Sequence, residues 1–265
     1  DVTNGGAGSH GGAAAYYEGR TSNLVYGDYK EPTHYGVGGR YLNSENPHAY
    51  NTRGGGSIKV VADTLTLDGL ITANGGSYAT TASGTGAGGS IWLDIGTLRT
   101  DVISNTTRVT AKGGQSNTGP AGGGGRVAVY FDAVEGINVA TQMFAEGGVS
   151  HNYHIQYGSP GTVYSKNKIT NEQALRFENI GAAIDRLPTL DLSGDYTGID
   201  LTISGIQAYL HDITFKDFTA ARNAVIGSGS GVVMSGIMKS TSATVQSMAN
   251  WVLSVNKDLV VDNFT

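Results

Sequence analysis

Apolar and polar residues alternate in four glycine-led stretches, IKVVADTLTL from Ile58, IWLDIGTL from Ile91, VAVYF from Val127 and VYS from Val163. A period of two marks strands that bury one face. The leaders are alike too: TRGGGS (Thr52–Ser57), TGAGGS (Thr85–Ser90), PAGGGGR (Pro120–Arg126) and SPGT (Ser159–Thr162). Aligned on these glycines, Ile58, Ile91, Val127 and Val163 fall in one column at spacings of 33, 36 and 36 residues. A near-constant period of this size predicts stacked equivalent units, none of which can bury its apolar face alone. The units also close alike, with ITANGG ending at Gly76, VTAKGG at Gly114 and MFAEGG at Gly148, so that Ala73, Ala111 and Ala145 form a second column. In the first unit the pieces IKVVA, TLTLDG and LITANG predict three short strands per turn.

The fold expected from this pattern is all-β: a parallel β-helix, or β-solenoid, with long glycine-rich loops. Each strand would pair with its equivalent one turn later, which needs the long return path that parallel neighbours require. The alternative is an antiparallel β-sandwich or jelly roll, but the Asn-Gly type of hairpin signal it needs is scarce. The glycines at Gly54–Gly56, Gly86–Gly89 and Gly122–Gly125 are expected at sharp corners, supplying positive φ and room for close backbone approach. Three regions follow. Residues 1–53, rich in glycine and tyrosine, read as a loop or cap packed on the coils. Residues 54–180 carry the glycine-rich repeat coils, and 181–265, with strands such as LTIS and DITFKDF, continue as leaner coils.

Composition narrows the function classes. The 265-residue chain has 41 glycines, about twice the usual share, with 15% charged residues and a net charge of -5. The acidic balance, without a Lys/Arg cluster, excludes nucleic acid and anionic membrane as partners. No apolar run is long enough for membrane insertion. There are no cysteines, which removes thiol chemistry and disulfides. The final DLVVDNFT stops within a strand pattern, so the chain reads as an excerpt of a longer protein.

The phrases NGGAGSHGG, VYGDYKEPTHYGVGG, GGGSIKVVADTLTLDGLITANGG, GAGGSIWLDIGTLR and GGGGRVAVYF, between about Asn4 and Tyr164, resemble glycine-rich repeat segments of very large exported bacterial surface proteins of the adhesin-like kind. The resemblance implies an extracellular or cell-surface β-solenoid and transfers no catalytic residues.

Specific chemistries fare poorly. Gly84/Gly86/Gly89 matches a dinucleotide-binding G-x-G-x-x-G but leads into a strand where that motif needs a helix, and Gly6/Gly8/Gly11 has no strand before it. AGSHGGAAA has Ser9 where a nucleophile elbow has its serine, yet Ala7 replaces the first glycine; a loop in which Ser9 and His10 bond to backbone is the simpler reading. His10, His34, His48 and the HNYH pair His151 and His154 form no metal-ligand pattern, so no metal site is assigned. Calcium is kept open as a ligand of the Asp-, Asn- and carbonyl-rich loops. Asp94, Asp132, Asp212 and Asp217 are scattered carboxylates, and the motifs of polygalacturonase-like and pectate-lyase-like enzymes are missing.

The resulting expectation is a noncatalytic structural or adhesive module of a larger surface protein or filament. Its partners are neighbouring modules or copies of itself, and glycans or cell-surface proteins. The alternative is a polysaccharide-degrading lyase or glycoside hydrolase of β-helix architecture. Half of the 14 tyrosines lie in residues 1–53, and Tyr16, Tyr17, Tyr26, Tyr35 and Tyr41 are the candidate ligand-binding residues. A tyrosine ring offers an apolar face and a hydroxyl at small entropic cost. Their alternative role is to pin the glycine-rich cap to the coils.

Overall fold

The computed structural model describes residues 6–15, 24–39, 52–77, 84–102, 106–117, 119–151, 157–179 and 188–221, with the backbone of short strands between 225 and 261. The chain is nearly all β and divides into two compact units, Asp1–Asn171 and Glu172–Thr265.

In the first unit the elements are β1 (Ser57–Thr66), β2 (Ile71–Thr72), β3 (Ser90–Arg99), β4 (Val109–Thr110), β5 (Arg126–Glu135), the short helix α1 (Val139–Gln142), β6 (Met143–Phe144) and β7 (Thr162–Asn167). The long strands pair in the order β1-β3-β5-β7 and the short ones in the order β2-β4-β6, all parallel. The register joins Ile58 to Ile91, Ile91 to Val127 and Val127 to Val163, which is the column read from the glycine alignment. In the second column Ile71 pairs with Val109 and Val109 with Met143, and Ala73, Ala111 and Ala145 lie two residues beyond each.

The strand count per turn differs from expectation. IKVVA and TLT form one continuous strand rather than two, because nothing between Val61 and Thr64 forces a turn. Gly96 instead lets the neighbouring strand back closely onto Asp63, where a Cβ would lie 2.4 Å from the Asp63 carbonyl oxygen. Helix α1 lies between β5 and β6, with the Asn138 side chain capping it by accepting from the Ala140 N–H at 2.9 Å.

Alternate residues of these strands build one core. Ile91, Leu93, Ile95, Leu98, Val127 and Val129 are fully buried and pack with Val109, Ala111, Met143, Ala145 and Val163. Ile58 departs from the expected burial of its column: it is half-buried, as are Val60, Ala62 and Leu65 beside it. The reason is position, since β1 is the end strand of its sheet and has a neighbour on one side only.

The glycine runs form a layer of their own against these strands. Successive N–H groups of one run point to different neighbours: Gly86 donates to Gly76, Ala87 to Val37, Gly88 to Gly123, and Gly89 to Ala73. One turn on, Gly122 donates to Gly114, Gly123 to Gly8, Gly124 to Ser159 and Gly125 to Ala111. The direction repeats every third residue, as in an extended chain of polyproline II type, which makes no hydrogen bonds within itself. The expectation of positive φ at these runs is corrected: Gly54–Gly56, Gly86–Gly89 and Gly122–Gly125 are absent from the left-handed region. At all of these glycines except Gly56, glycine is needed because a side chain has no room between the layers. A Cβ on Gly54 would lie 1.7 Å from the Gly36 carbonyl oxygen.

The second unit holds β8 (Gln173–Glu178), β9 (Thr189–Tyr196), β10 (Ile199–Ser204), β11 (Gln207–Phe215), β12 (Phe218–Ala221), β13 (Val225–Ser228), β14 (Val232–Met234), β15 (Met238–Thr241), β16 (Thr244–Val245), β17 (Ser254–Val255) and β18 (Leu259–Val261). These strands fall into two sheets. One runs β8-β10-β12-β15-β18; in the other β11 pairs with β9, β13 and β14, which lead on to β16 and β17. Its pairs are parallel as well. Leu201, Ile203, Ala208, Leu210, Ile213, Phe215 and Phe218 are buried, in keeping with the alternation of LTIS and DITFKDF.

Candidate functional site

A group of buried polar side chains lies where residues 6–15 and 24–39 meet the strands of the first unit. Backbone bonds run in both directions: Gly8 and Gly12 donate to Thr85 and Gly124, while Gly123 and Ser159 donate to Gly8 and Ala13. His10 sits fully buried at the centre. Its Nδ1 lies 2.8 Å from the Gly88 carbonyl oxygen. A carbonyl only accepts, so Nδ1 carries the hydrogen and Nε2 the lone pair. Nε2 has no hydrogen-bond partner. Burial, with the positive charge of Arg126 and the neighbouring His34 acting in the same direction, lowers the His10 pKa to about 4 against the hydrogen bonds the ring makes to the backbone of Gly88 and Gly89.

Arg126, almost fully buried, donates from Nε and Nη2 to the Tyr26 carbonyl oxygen at 3.0 and 2.9 Å, and from Nη1 to Thr162 Oγ1 at 3.2 Å. The Tyr26 ring stacks on His10 with centroids 4.8 Å apart, and its hydroxyl donates to the Tyr35 carbonyl. Ser90 Oγ donates to the His34 carbonyl oxygen at 2.6 Å. Positive φ is required at Gly27 (+84°), where the chain turns between His10, His34 and Arg126.

Beside this group the outward face of the long sheet carries a run of aromatic rings. Trp92, Tyr130 and Tyr164 of the sheet and Tyr29 of segment 24–39 follow one another with centroids 6.5, 5.7 and 5.5 Å apart. Segment 24–39 closes over the far end: the Tyr130 hydroxyl donates to the Lys30 carbonyl oxygen at 2.9 Å, and Tyr164 is 1% exposed. Burial raises the pKa of both phenols, that of Tyr164 to about 12. At the near end Lys59 Nζ sits 3.4 Å above the Trp92 ring, a cation–π contact.

The carboxylates read from the sequence divide between the units. Asp94 and Asp132 meet at Lys168, whose Nζ lies 2.9 and 3.6 Å from them. Asp212 and Asp217 belong to the second unit. There Asp212 takes φ +43° at a bulge between Leu210 and Ile213, an unusual conformation for a residue with a side chain. The adjacent His211 holds Asp191 at 2.7 Å through Nε2, and its Nδ1 is 3.6 Å from Asp212. The two carboxylates face opposite edges of the ring, so the three do not converge on one ion. Among the described residues no three His, Cys, Asp or Glu side chains are placed to hold a metal. Where loops stack after β1 and β3, an arginine gathers the oxygens: Arg108 donates to the Asp68 carbonyl and, at 2.8 Å, to that of Val102.

Of the five tyrosines singled out, Tyr26 is half-buried in the His10 group and Tyr35 is 70% exposed. Tyr16, Tyr17 and Tyr41 lie outside the described residues. Ser9 accepts from the Ala14 N–H at 2.9 Å, and no strand or helix flanks it in residues 6–15. His151 Nδ1 is 3.3 Å from the Ser116 carbonyl oxygen, while His48 and His154 lie outside the described residues. Sequence reasoning missed Arg126, Trp92, Tyr130 and Tyr164 as members of these groups. The signal available was the period itself, which puts Trp92 and Tyr164 in one outward column two turns apart. Among the described residues no helix is long and apolar enough to cross a membrane.

Comparison with known proteins finds no match to the chain among family models, curated proteins or solved structures.

Proposed function

We propose that the chain is a noncatalytic β-solenoid module, structural and adhesive, of a larger protein displayed outside the cell. The observation that carries this reading is the register Ile58–Ile91–Val127–Val163, one residue from each of four successive parallel strands. Parallel pairing of every turn with the next argues for a coil rather than a sandwich, whose antiparallel strands would be joined by hairpins. Such stacks lengthen by adding turns, each contacting only its neighbours, and so suit a protein that must extend and present a surface. The half-buried inner face of β1 is a place for a neighbouring module or copy to add a further turn. Lys168 bridging Asp94 and Asp132 favours a salt-linked surface over an acid–base pair at that position. The extracellular setting and the glycan or cell-surface partner rest on the sequence resemblance and the exposed Tyr35.

The test is incubation of the purified chain with acidic and neutral polysaccharides. The expected result is retention on one or more immobilised glycans with no new reducing ends or unsaturated sugars. Turnover of any of them by this chain would overturn the noncatalytic reading.

A further inference from the structure

We propose that residues 6–15 and 24–39 form an acid-releasable cover over the glycine layer and the aromatic run of the first unit, latched by His10. The cover is separable from what lies beneath. The main core cluster, built from β1 to β7 and the residues flanking α1, contains no residue of 6–15 or 24–39. What holds the cover is mostly polar and directional: the backbone bonds at Gly8, Gly12, Ala13 and Val37, the bonds from Arg126, Ser90 and Tyr130 to the carbonyls of Tyr26, His34 and Lys30, and the His10 bond to Gly88. Its apolar attachments include Ala15 on Ala121 and the edge of Tyr29 on Tyr164.

The latch holds only while the imidazole is neutral. Nδ1–H is committed to Gly88, and Nε2 is buried with no hydrogen-bond partner. A proton added there makes a donor with no acceptor and a positive charge sealed from water, both costly. The groups facing the ring relieve it only in part. Arg126 from β5 is already cationic and, with His34 from the cover, disfavours a charge on the ring, while the carbonyls of Gly88 and Gly89 offset part of this and Tyr26 is neutral. Moving the cover away returns the ring to water, where it takes the proton freely. Burial has pushed the His10 pKa to about 4 from 6.5, so the preference for the detached cover grows as pH falls through that interval. Release bares Tyr130, Tyr164 and the open backbone groups of the glycine layer, which would give the module a second surface in acid.

The experiment is hydroxyl-radical footprinting of the full chain from pH 7.5 to pH 4, reading oxidation of Tyr26 and Tyr164, with the core residue Met143 as internal reference. Expected is a several-fold rise at both tyrosines on acidification while Met143 stays protected. His10→Asn keeps an amide donor for Gly88 and does not titrate, and its cover should stay closed at pH 4. Opening of His10→Asn at the same pH as the parent would overturn the proposal. So would oxidation of Met143 in step with Tyr164, which signals unfolding of the whole unit. Should the variant not fold, the same titration followed by imidazole NMR of the parent decides the matter: His10 protonated with Tyr164 still protected rejects the latch, and protonation concurrent with exposure supports it.

Discussion

Gly161 and Gly125 stand one turn apart with their backbones in contact: a Cβ on Gly161 would lie 1.7 Å from the Gly125 carbonyl oxygen. Neither residue has positive φ, so the constraint is space alone. Gly161→Ala must push two hydrogen-bonded layers apart and is expected to destabilise by about 3 kcal/mol or more, at the upper end of overpacking costs. Gly56 in the same kind of run has nothing within 4 Å of its Cβ position. Gly56→Ala should therefore be neutral or stabilise by a few tenths of a kcal/mol, up to about 1, through the unfolded chain. Urea unfolding of both variants checks the contrast, and equal effects would remove close approach as the reason for the glycines.

The inward column makes a graded prediction. Ile91 and Val127 are fully buried in central strands, whereas Ile58 is half-buried at the end of the sheet. Truncation to alanine at Ile91 or Val127 should cost roughly 2–4 kcal/mol through lost burial and the cavity left behind, and at Ile58 less than half of that. Chemical denaturation midpoints at constant slope would show the gradient. A cost at Ile58 as large as at Ile91 would mean that β1 is covered in solution by another turn or copy.

The repeat was legible in the sequence because its signal is redundant. Three features recur at one period: the glycine leader, the alternation that follows and the closing Ala-x-Gly-Gly. Together they put Ile58, Ile91, Val127 and Val163 in the register that the strand pairing has. The reason for the glycines was half legible. A clustered run announces close packing or a turn, and sequence does not distinguish the two; the φ angles assign these runs to packing. The polar group around His10 was not legible, since it joins residues 78 and 100 positions apart, His10 with Gly88 and Tyr26 with Arg126, that belong to no common period. Ser9 and His10 were noticed through an elbow-like motif and have backbone partners instead.

Asp68 gives a pH test away from His10. Its carboxylate accepts from the Asp101 N–H at 2.8 Å and from Thr100 Oγ1 at 2.9 Å, tying one loop to its equivalent in the next turn. These donors hold its pKa below the ordinary 3.8. A folded-state pKa below the unfolded one contributes stability that is fully present above about pH 4 and lost as pH falls through the folded value. The difference in urea midpoint between the parent and Asp68→Asn should be constant from pH 6 to about pH 4.5 and shrink below it. A difference independent of pH would show that the carboxylate charge plays no part in joining the loops.

Tyr26 and Tyr35 separate the anchoring and binding roles open to the amino-terminal tyrosines. Tyr26 has its ring against His10, its carbonyl under Arg126, and its hydroxyl on the Tyr35 carbonyl. Tyr35 presents 70% of its surface to solvent. Tyr26→Ala removes the ring packed on His10 and lets water reach the cluster, and it should destabilise by about 2 kcal/mol. Tyr26→Phe keeps the ring and loses one half-exposed hydrogen bond, at a cost of about 1 kcal/mol or less. Tyr35→Ala should leave stability within about 0.5 kcal/mol, as surface changes do, and, under the proposed adhesive role, lower retention on an immobilised glycan. Thermal melts and affinity chromatography on the same three variants give the two readouts side by side. If the parent is retained and Tyr35→Ala binds as it does, Tyr35 takes no part in the proposed binding, and the open end of the sheet face around Lys59, Val61 and Trp92 is the next place to substitute.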